Sequence, residues 1–172
     1  STETYTGNTL TVEAAVENTG GVAGTKNLTF SFNGSVVEER EVTVGGGNTS
    51  VITFTTTVST TGEKVASVSI EDGNTVQSET VTVKEAAVAT GFTPTSDTIT
   101  VGQTLTVDAV VNNRGSTNET VAVNLTVDGV EVDTNSVDLS PGESRTTTLT
   151  WDTSAVEEVG SKDLSVNGLA NQ

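Results

Sequence analysis

The feature that most constrains this chain is that most of it is written twice. Gly7-Asn8-Thr9-Leu10-Thr11-Val12 returns as Gly102-Gln103-Thr104-Leu105-Thr106-Val107, an offset of 95 residues (7 to 102). The correspondence continues without a gap: Asn18-Thr19-Gly20 with Asn113-Arg114-Gly115, Leu28, Phe30 and Phe32 with Val123, Leu125 and Val127, Asn33-Gly34 with Asp128-Gly129, and Phe54 with Leu149. A chain of 172 residues can form one large domain or two small ones. A repeat of this length selects two, each near the size of a β-sandwich domain. Slipping one copy by a single residue would turn its apolar face outward, so the shared register means one fold used twice.

The apolar period is two. Leu10, Val12, Ala14 and Val16 share one face of residues 9–17, and Leu28, Phe30 and Phe32 share one face of 26–32. This alternation predicts half-buried strands. Asn33-Gly34 predicts a two-residue hairpin, because both central positions of that turn need positive φ. Between Val37 and Val42 the apolar parity changes, which predicts a bulge. Ile52 and Phe54 mark a further inward face, and residues 64–70 another strand. After Asp72-Gly73 a strand over 75–83 closes the first copy through Val81 and Val83. The spacing of turn signals predicts about seven strands in that copy. The copies differ by three residues around Gly62 and Gly160 and are expected to realign at Asp72-Gly73 and Asn167-Gly168. The fold class expected is all-β: two tandem antiparallel β-sandwiches, residues 1–84 and 85–172, joined by a short linker near Lys84-Glu85-Ala86.

Composition excludes several functions. There is no Cys and no His, so neither a disulfide framework nor a Ser–His or Cys–His pair can form. Aromatics are 3% of the chain, and Phe30, Phe32, Phe54 and Trp151 all have core parity, so Val, Leu, Ile and Ala fill the interior. Asp and Glu total 23 against 7 Lys and Arg, a net charge of −16. The acids are scattered along outward positions and turns rather than gathered in a tail. Nucleic acid and anionic membranes are poor partners for such a surface. Dispersed acid with few lysines suits molar salt, where the screening length falls to about 3 Å and self-repulsion fades. A halophilic source is therefore expected. No apolar run approaches the length of a membrane span. No EF-hand spacing occurs, and Asp128 to Asp133 and Glu38 to Glu41 read as solvated acidic faces, so no cofactor or metal ligand is assigned.

The second copy carries a recognisable pattern. GQTLTVDAVVNNRG, then VAVNLTVDGVEVDTNSVDLSPGESRTTTLTW, closely resembles the CARDB family of cell-adhesion-related, immunoglobulin-like sandwich domains. The resemblance lies in Val-x-Asn-x-Gly at Val111, Asn113 and Gly115, an aliphatic strand ending in Asp128-Gly129, Leu139-x-x-Gly-Glu-Ser, and Thr148-x-Thr-Trp151. The first copy fits more loosely, with Gly45-Gly46-Gly47-Asn48 in place of Ser140-Pro141-Gly142-Glu143. The resemblance implies surface display and assembly rather than chemistry.

Five Asn-x-Ser/Thr sequons, at Asn27, Asn33, Asn48, Asn118 and Asn124, are expected glycan acceptors on an exported chain. The joint at 75–101 suggests how domains connect. It holds a closing strand for the first copy (75–83) and an opening strand for the second (86–92). The first copy has no counterpart of 86–92 and the second has none of 75–83. Each domain is therefore expected to be one edge strand short, the first lacking its first strand and the second its last. An open edge is a template for strand addition. Ser1, Tyr5, Asn167 and Leu169 are the expected interface residues. The expected partners are further copies of the chain or neighbouring domains of the same array, with surface glycans a further possibility. The functional expectation is a non-enzymatic extracellular structural or adhesion protein, a subunit of a pilus-like filament or stalk of a halophilic archaeon, joined by inter-subunit strand complementation or by end-to-end domain contacts. The alternatives are a viral capsid decoration or spike, which would place it on a virion, and a carbohydrate- or calcium-binding surface module.

Overall fold

A computed structural model of the chain describes residues 2–71 and 75–170. The chain divides into two compact units, Ser1–Glu85 and Ala86–Gln172. In unit 1, β1 (Thr2–Tyr5), β2 (Thr9–Glu17), β3 (Gly24–Phe32), β4 (Ser35–Val44), β5 (Thr49–Thr57), β6 (Gly62–Ile70) and β7 (Thr75–Lys84) follow in order. They form a five-stranded sheet, β1-β7-β6-β3-β4, and a two-stranded sheet, β2-β5. In unit 2, β8 (Ala87–Pro94), β9 (Thr104–Asn113), β10 (Glu119–Val127), β11 (Val130–Leu139), β12 (Ser144–Asp152), β13 (Leu164–Val166) and β14 (Leu169–Ala170) follow. They form a four-stranded sheet, β11-β10-β13-β14, and a three-stranded sheet, β12-β9-β8.

The alternation sets the cores. In unit 1, Leu10, Ala14, Leu28, Phe30, Phe54, Val58, Ala66, Val68, Val81 and Val83 are buried together. In unit 2 the cluster runs through Leu105, Val107, Ala109, Val111, Val123, Leu125, Val137, Leu139, Leu149 and Val166. Polar Thr, Ser, Asn and acidic residues occupy the alternate, solvent-facing positions, as expected of sheets with one wet face. The hairpin turns have the backbone that two-residue loops require: Asn33 and Gly34 at φ 50° and 80°, Asp128 and Gly129 at 50° and 80°. The predicted bulge is present. Phe30 pairs with Glu38 and Ser31 with Val36, leaving Val37 as the extra residue. Val37 is 40% exposed rather than inward.

Four details differ from the sequence-based expectation. The sandwich is not wholly antiparallel, because β1 pairs with β7 in parallel, Thr2 opposite Val81 through Tyr5 opposite Lys84. The polar residues 2–5 thus form a strand, but in the larger sheet and not beside β2. Second, the strand before the last hairpin is offset by 98 residues between the copies, not 95. Phe30 pairs with Val68, and its counterpart Leu125 pairs with Val166, so the offset stays at 98 (68 to 166) through this strand. Gly62, Lys64 and Ser67 accordingly match Gly160, Lys162 and Ser165. In unit 2 the strand turns back immediately after Val166, at Asn167-Gly168, whereas β6 continues to Ile70. Asp72-Gly73 lies outside the described residues. Third, β8 extends to Pro94, two residues beyond the expected opening strand. Fourth, Phe32 and Trp151 have core parity but are only partly buried.

Candidate functional site

The Asn of the Val-x-Asn-x-Gly motif organises one end of each sandwich. The Asn113 side-chain amide donates to the carbonyl oxygens of Thr117 (2.7 Å), Leu139 (3.2 Å) and Ser140 (3.1 Å), and its Oδ1 accepts from Gly115 N (2.9 Å). Asn18 repeats this, donating to Val22 O and Val44 O at 2.8 Å and accepting from Gly20 N at 2.9 Å. Backbone bonds repeat too: Asn113 N donates to Glu143 O and Asn18 N to Asn48 O, both 2.9 Å. One amide therefore ties the end of the second strand of a unit to two later loops. The motif thus serves a structural purpose, since buried backbone carbonyls need donors.

The two sandwiches are unequally complete, and the difference lies at their edges. In unit 2, β9 pairs with β12 on one side and β8 on the other. In unit 1 its counterpart β2 pairs with β5, and no described strand lies on its other side. Burial follows. Val107 and Val111 are fully buried, while their counterparts Val12 and Val16 are only half-buried. A groove of about 430 Å³ lies between β2 and β7, lined by Leu10, Val12, Ala66 and Val81 with Glu13 and Glu79. Conversely, β7 spans Thr75–Lys84 in unit 1, whereas β14 is the two residues Leu169–Ala170. Unit 2 has a groove of about 610 Å³ lined by Ile99, Val101, Leu105, Trp151 and Leu164. Among the described residues, β8 of unit 2 has no counterpart beside β2, and β7 of unit 1 is matched in unit 2 by the short β14.

The expected interface residues are placed as follows. Ser1 lies outside the described residues. Tyr5 sits at the end of β1, half-buried, with its hydroxyl 3.4 Å from Glu3 Oε1. Asn167, at φ 47°, forms the tight turn, and its side chain stands in for a strand: Oδ1 accepts from Asn124 N (2.8 Å) and Nδ2 donates to Ala122 O (3.0 Å). In unit 1 backbone pairing by Ser69 and Ile70 does that work. Leu169 is 37% exposed. Asn167 and Leu169 therefore flank one open edge, and Tyr5 belongs to β1, in the sheet across the groove from β2. The groove lining at Ile99, Val101 and Trp151 was not singled out from the sequence. The signal that could have found it is the alignment of 96–101 with 1–6.

Of the sequons, Asn33, Asn48 and Asn118 are exposed, while Asn27 and Asn124 are half-buried on strand faces. Asn124 Oδ1 also accepts from Thr134 Oγ1 at 2.7 Å. Among the described residues, no group of three or more acidic, His or Cys side chains is placed to hold a metal ion.

The surface electrostatics are local. Lys84 pairs with Glu3 at 2.6 Å, Lys162 with Asp128 at 2.9 Å and Arg145 with Glu143 at 2.7 Å. Exposed pairs of this kind stabilise by little. Backbone donors from Asp163, Ser140 and Ser154 hold the carboxyls of Asp128, Glu143 and Asp152 below their ordinary values of 3.8, 4.5 and 3.8, with Lys162 and Arg145 reinforcing the first two. A carboxyl lowered by folding contributes stability that is present above its unfolded value and lost as pH falls through its folded one. Side-chain carboxyl titration by NMR is expected to give midpoints below those ordinary values for all three. A midpoint at or above them would mean that the backbone donors are not engaged.

The family comparison agrees with this architecture. The CARDB family matches the chain twice, over residues 1–85 and 90–168. No curated protein matches it. Among solved structures, the crystal structure of red sea bream transglutaminase is similar at 13% identity and a TM-score of 0.43, covering 96% of this chain. This chain spans only 27% of that protein's length, and no activity is carried over from it. With both units matched nearly end to end, the chain belongs to the CARDB family, a cell-adhesion-related domain family, in two tandem copies.

Proposed function

We propose that this chain is a non-enzymatic structural or adhesion component of the cell surface, a subunit of a pilus-like filament or stalk of a halophilic archaeon, assembled through its open sandwich edges. The observation that carries this reading is the family match over both units, with β2 paired on one side only among the described residues. An unpaired sheet edge over apolar side chains is stabilised by a strand from a neighbour. Family membership supports a surface location and a role in adhesion. Among the described residues no helix is long and apolar enough to cross a membrane. The net charge of −16 opposes association at low salt and ceases to do so in molar salt. The sequons at Asn33, Asn48 and Asn118 are exposed and reachable by a glycosylation machinery.

The expected result is concentration-dependent, linear association in molar sodium chloride, seen by light scattering and by electron microscopy, that reverses on dilution into low salt. A stable monomer across the whole salt range would sink the reading. Closed trimers or icosahedral contacts in place of linear ones would favour a virion protein.

A further inference from the structure

Each sandwich has a flank where one edge strand of each sheet faces the other. In unit 1 these are β4, at the end of the larger sheet, and β5, whose strand partner among the described residues is β2 alone. In unit 2 they are β11 and β12, and β12 pairs with β9 alone among the described residues. The flank recurs in both units, so it is a property of the fold.

Both β5 and β12 are suited to take a further strand. β5 carries no charged residue over Thr49–Thr57, and β12 carries none between Arg145 and Asp152. Each is rich in threonine and free of proline. Uncharged edge strands of high β-propensity are templates for pairing with another chain. In an antiparallel strand the backbone groups that point away from the partner strand recur at every second residue. Thr150 N on β12 and Thr53 O on β5 belong to this outward set, since each bonds to a side chain of the other sheet.

Those side chains come from the facing strand. In unit 2, Asp133 Oδ2 accepts from Thr150 N at 2.7 Å and from Thr150 Oγ1 at 3.2 Å. Its Oδ1 accepts from Thr134 N at 2.9 Å, which fixes the carboxylate. Beside it, Asn135 Nδ2 donates to Thr147 Oγ1 at 2.8 Å. In unit 1, Arg40 Nη1 donates to Thr53 O at 3.2 Å. The Arg40 guanidinium is held by Glu38 and lies over the Phe54 ring. Glu38 and Arg40 correspond to Asp133 and Asn135 by the offset of 95. The chemistry differs and the place does not: an acceptor closes an outward donor in unit 2, and a donor closes an outward acceptor in unit 1.

The bulge brings these side chains to bear. Directly opposed residues of an antiparallel pair share a face. Arg40 and Glu38 oppose Leu28 and Phe30, and Asn135 and Asp133 oppose Val123 and Leu125, all four apolar partners fully buried. The polar side chains therefore point toward the opposite sheet. Val132 is the extra residue in unit 2, as Val37 is in unit 1. Without it the register would slip by one and these side chains would turn to solvent.

We propose that Arg40 with Glu38, and Asp133 with Asn135, are edge guards: they occupy the outward backbone of β5 and β12 and so keep a second copy of this chain from pairing there. Inward-pointing charge is a known way to blunt a sheet edge. The proposal rests on the reading of the chain as an assembly component, and it names the flank that assembly leaves out.

The test is amide hydrogen exchange mapped along the 172-residue chain in molar sodium chloride, at several protein concentrations. In the unsubstituted chain β12 protection is expected to be independent of concentration. Asp133→Ala is expected to speed exchange at Thr150 by at least about tenfold in dilute protein, the loss of one charge-assisted hydrogen bond. At high concentration protection of residues 146–150 is expected to return, with a rise in mass by light scattering. Arg40→Ala is expected to give concentration-dependent protection of residues 49–57. Asp133→Asn keeps an acceptor oxygen and is expected to behave as the unsubstituted chain. Val107→Ala truncates a fully buried residue of β9, away from this edge, and is expected to show no concentration dependence in β12. Concentration-dependent protection of β12 in the unsubstituted chain overturns the proposal, because the edge would then be in use. So does its absence from both alanine variants, or its appearance in Val107→Ala, which would make general destabilisation the cause. Whether the unsubstituted chain forms filaments is read separately, so a failure there is distinguishable from a failure here.

Discussion

Replacing Phe54 with alanine is expected to destabilise unit 1 by about 3–5 kcal/mol, the usual cost of removing a fully buried aromatic side chain. Phe54 is 0% exposed and lies on β5, in the two-stranded sheet, so it is a principal apolar contact between that small sheet and the rest of the unit. Its ring stacks on Phe30 with centroids 5.5 Å apart and planes at 27°. The Arg40 guanidinium lies 5.1 Å from the centre of the Phe54 ring. Such aromatic pairs contribute about 0.5–1.5 kcal/mol beyond the area they bury. The counterpart in unit 2 is Leu149, also fully buried, where alanine is expected to cost about 2–5 kcal/mol. Against a domain stability of about 5–15 kcal/mol, the loss at Phe54 leaves unit 1 marginal. Denaturant unfolding followed by circular dichroism checks this. A loss below about 1 kcal/mol would mean that the ring is not a core element.

The second large effect is expected at Asn113. It is 2% exposed, and its side chain serves three carbonyl oxygens and one backbone N–H. Alanine at this position strands several of those groups away from water. Each buried unsatisfied group costs about 1–3 kcal/mol, so a total of about 2–4 kcal/mol is expected if part of the loop end rehydrates. Asn113→Asp tests the cause. It keeps the shape and the acceptor for Gly115, but it turns a carboxylate toward three carbonyl oxygens. It is expected to destabilise at neutral pH at least as much as alanine does. If Asp is tolerated, the amide donors are not what matters. Asn18→Ala is expected to cost less, because Asn18 serves two carbonyls rather than three, at a half-exposed site where water can replace it.

Much of this molecule was legible because β-sandwich cores are written in alternation. Leu28, Phe30, Val123 and Leu125 are buried where period two places them, and the hairpins at Asn33-Gly34 and Asp128-Gly129 have the positive φ that their residue types allow. The bulge at Val37 was legible as a change of parity, but not its consequence, because one extra residue leaves its own side chain without a core position. The role of Asn18 and Asn113 was hidden inside a turn signal. Asn favours turns for local reasons, and nothing local shows that its amide will reach carbonyls twenty-six residues away, at Val44 and Leu139.

The candidate site divides in the same way. The strand at 86–92, which pairs with β9 and has no copy beside β2 among the described residues, could be counted from the repeat alone. The partner of residues 2–5 could not. Both Thr2–Tyr5 and residues 97–101 are short, polar and similar, yet the first is a strand and the second is not. Strand formation in so short a segment depends on a neighbour to receive its backbone hydrogen bonds, and that neighbour is distant in sequence.

By itself, then, the order of residues determined the class of fold, its duplication, the faces that are buried and the acidic, cysteine-free surface. All of these follow from local periodicity and composition. Only the tertiary structure decided that β1 joins β7 in parallel, that the 98-residue offset persists to Val166, and that Ile99, Val101 and Trp151 line an apolar groove in unit 2. These depend on which strand edges meet across long stretches of chain, and edge pairing is settled by packing rather than by any single stretch of sequence.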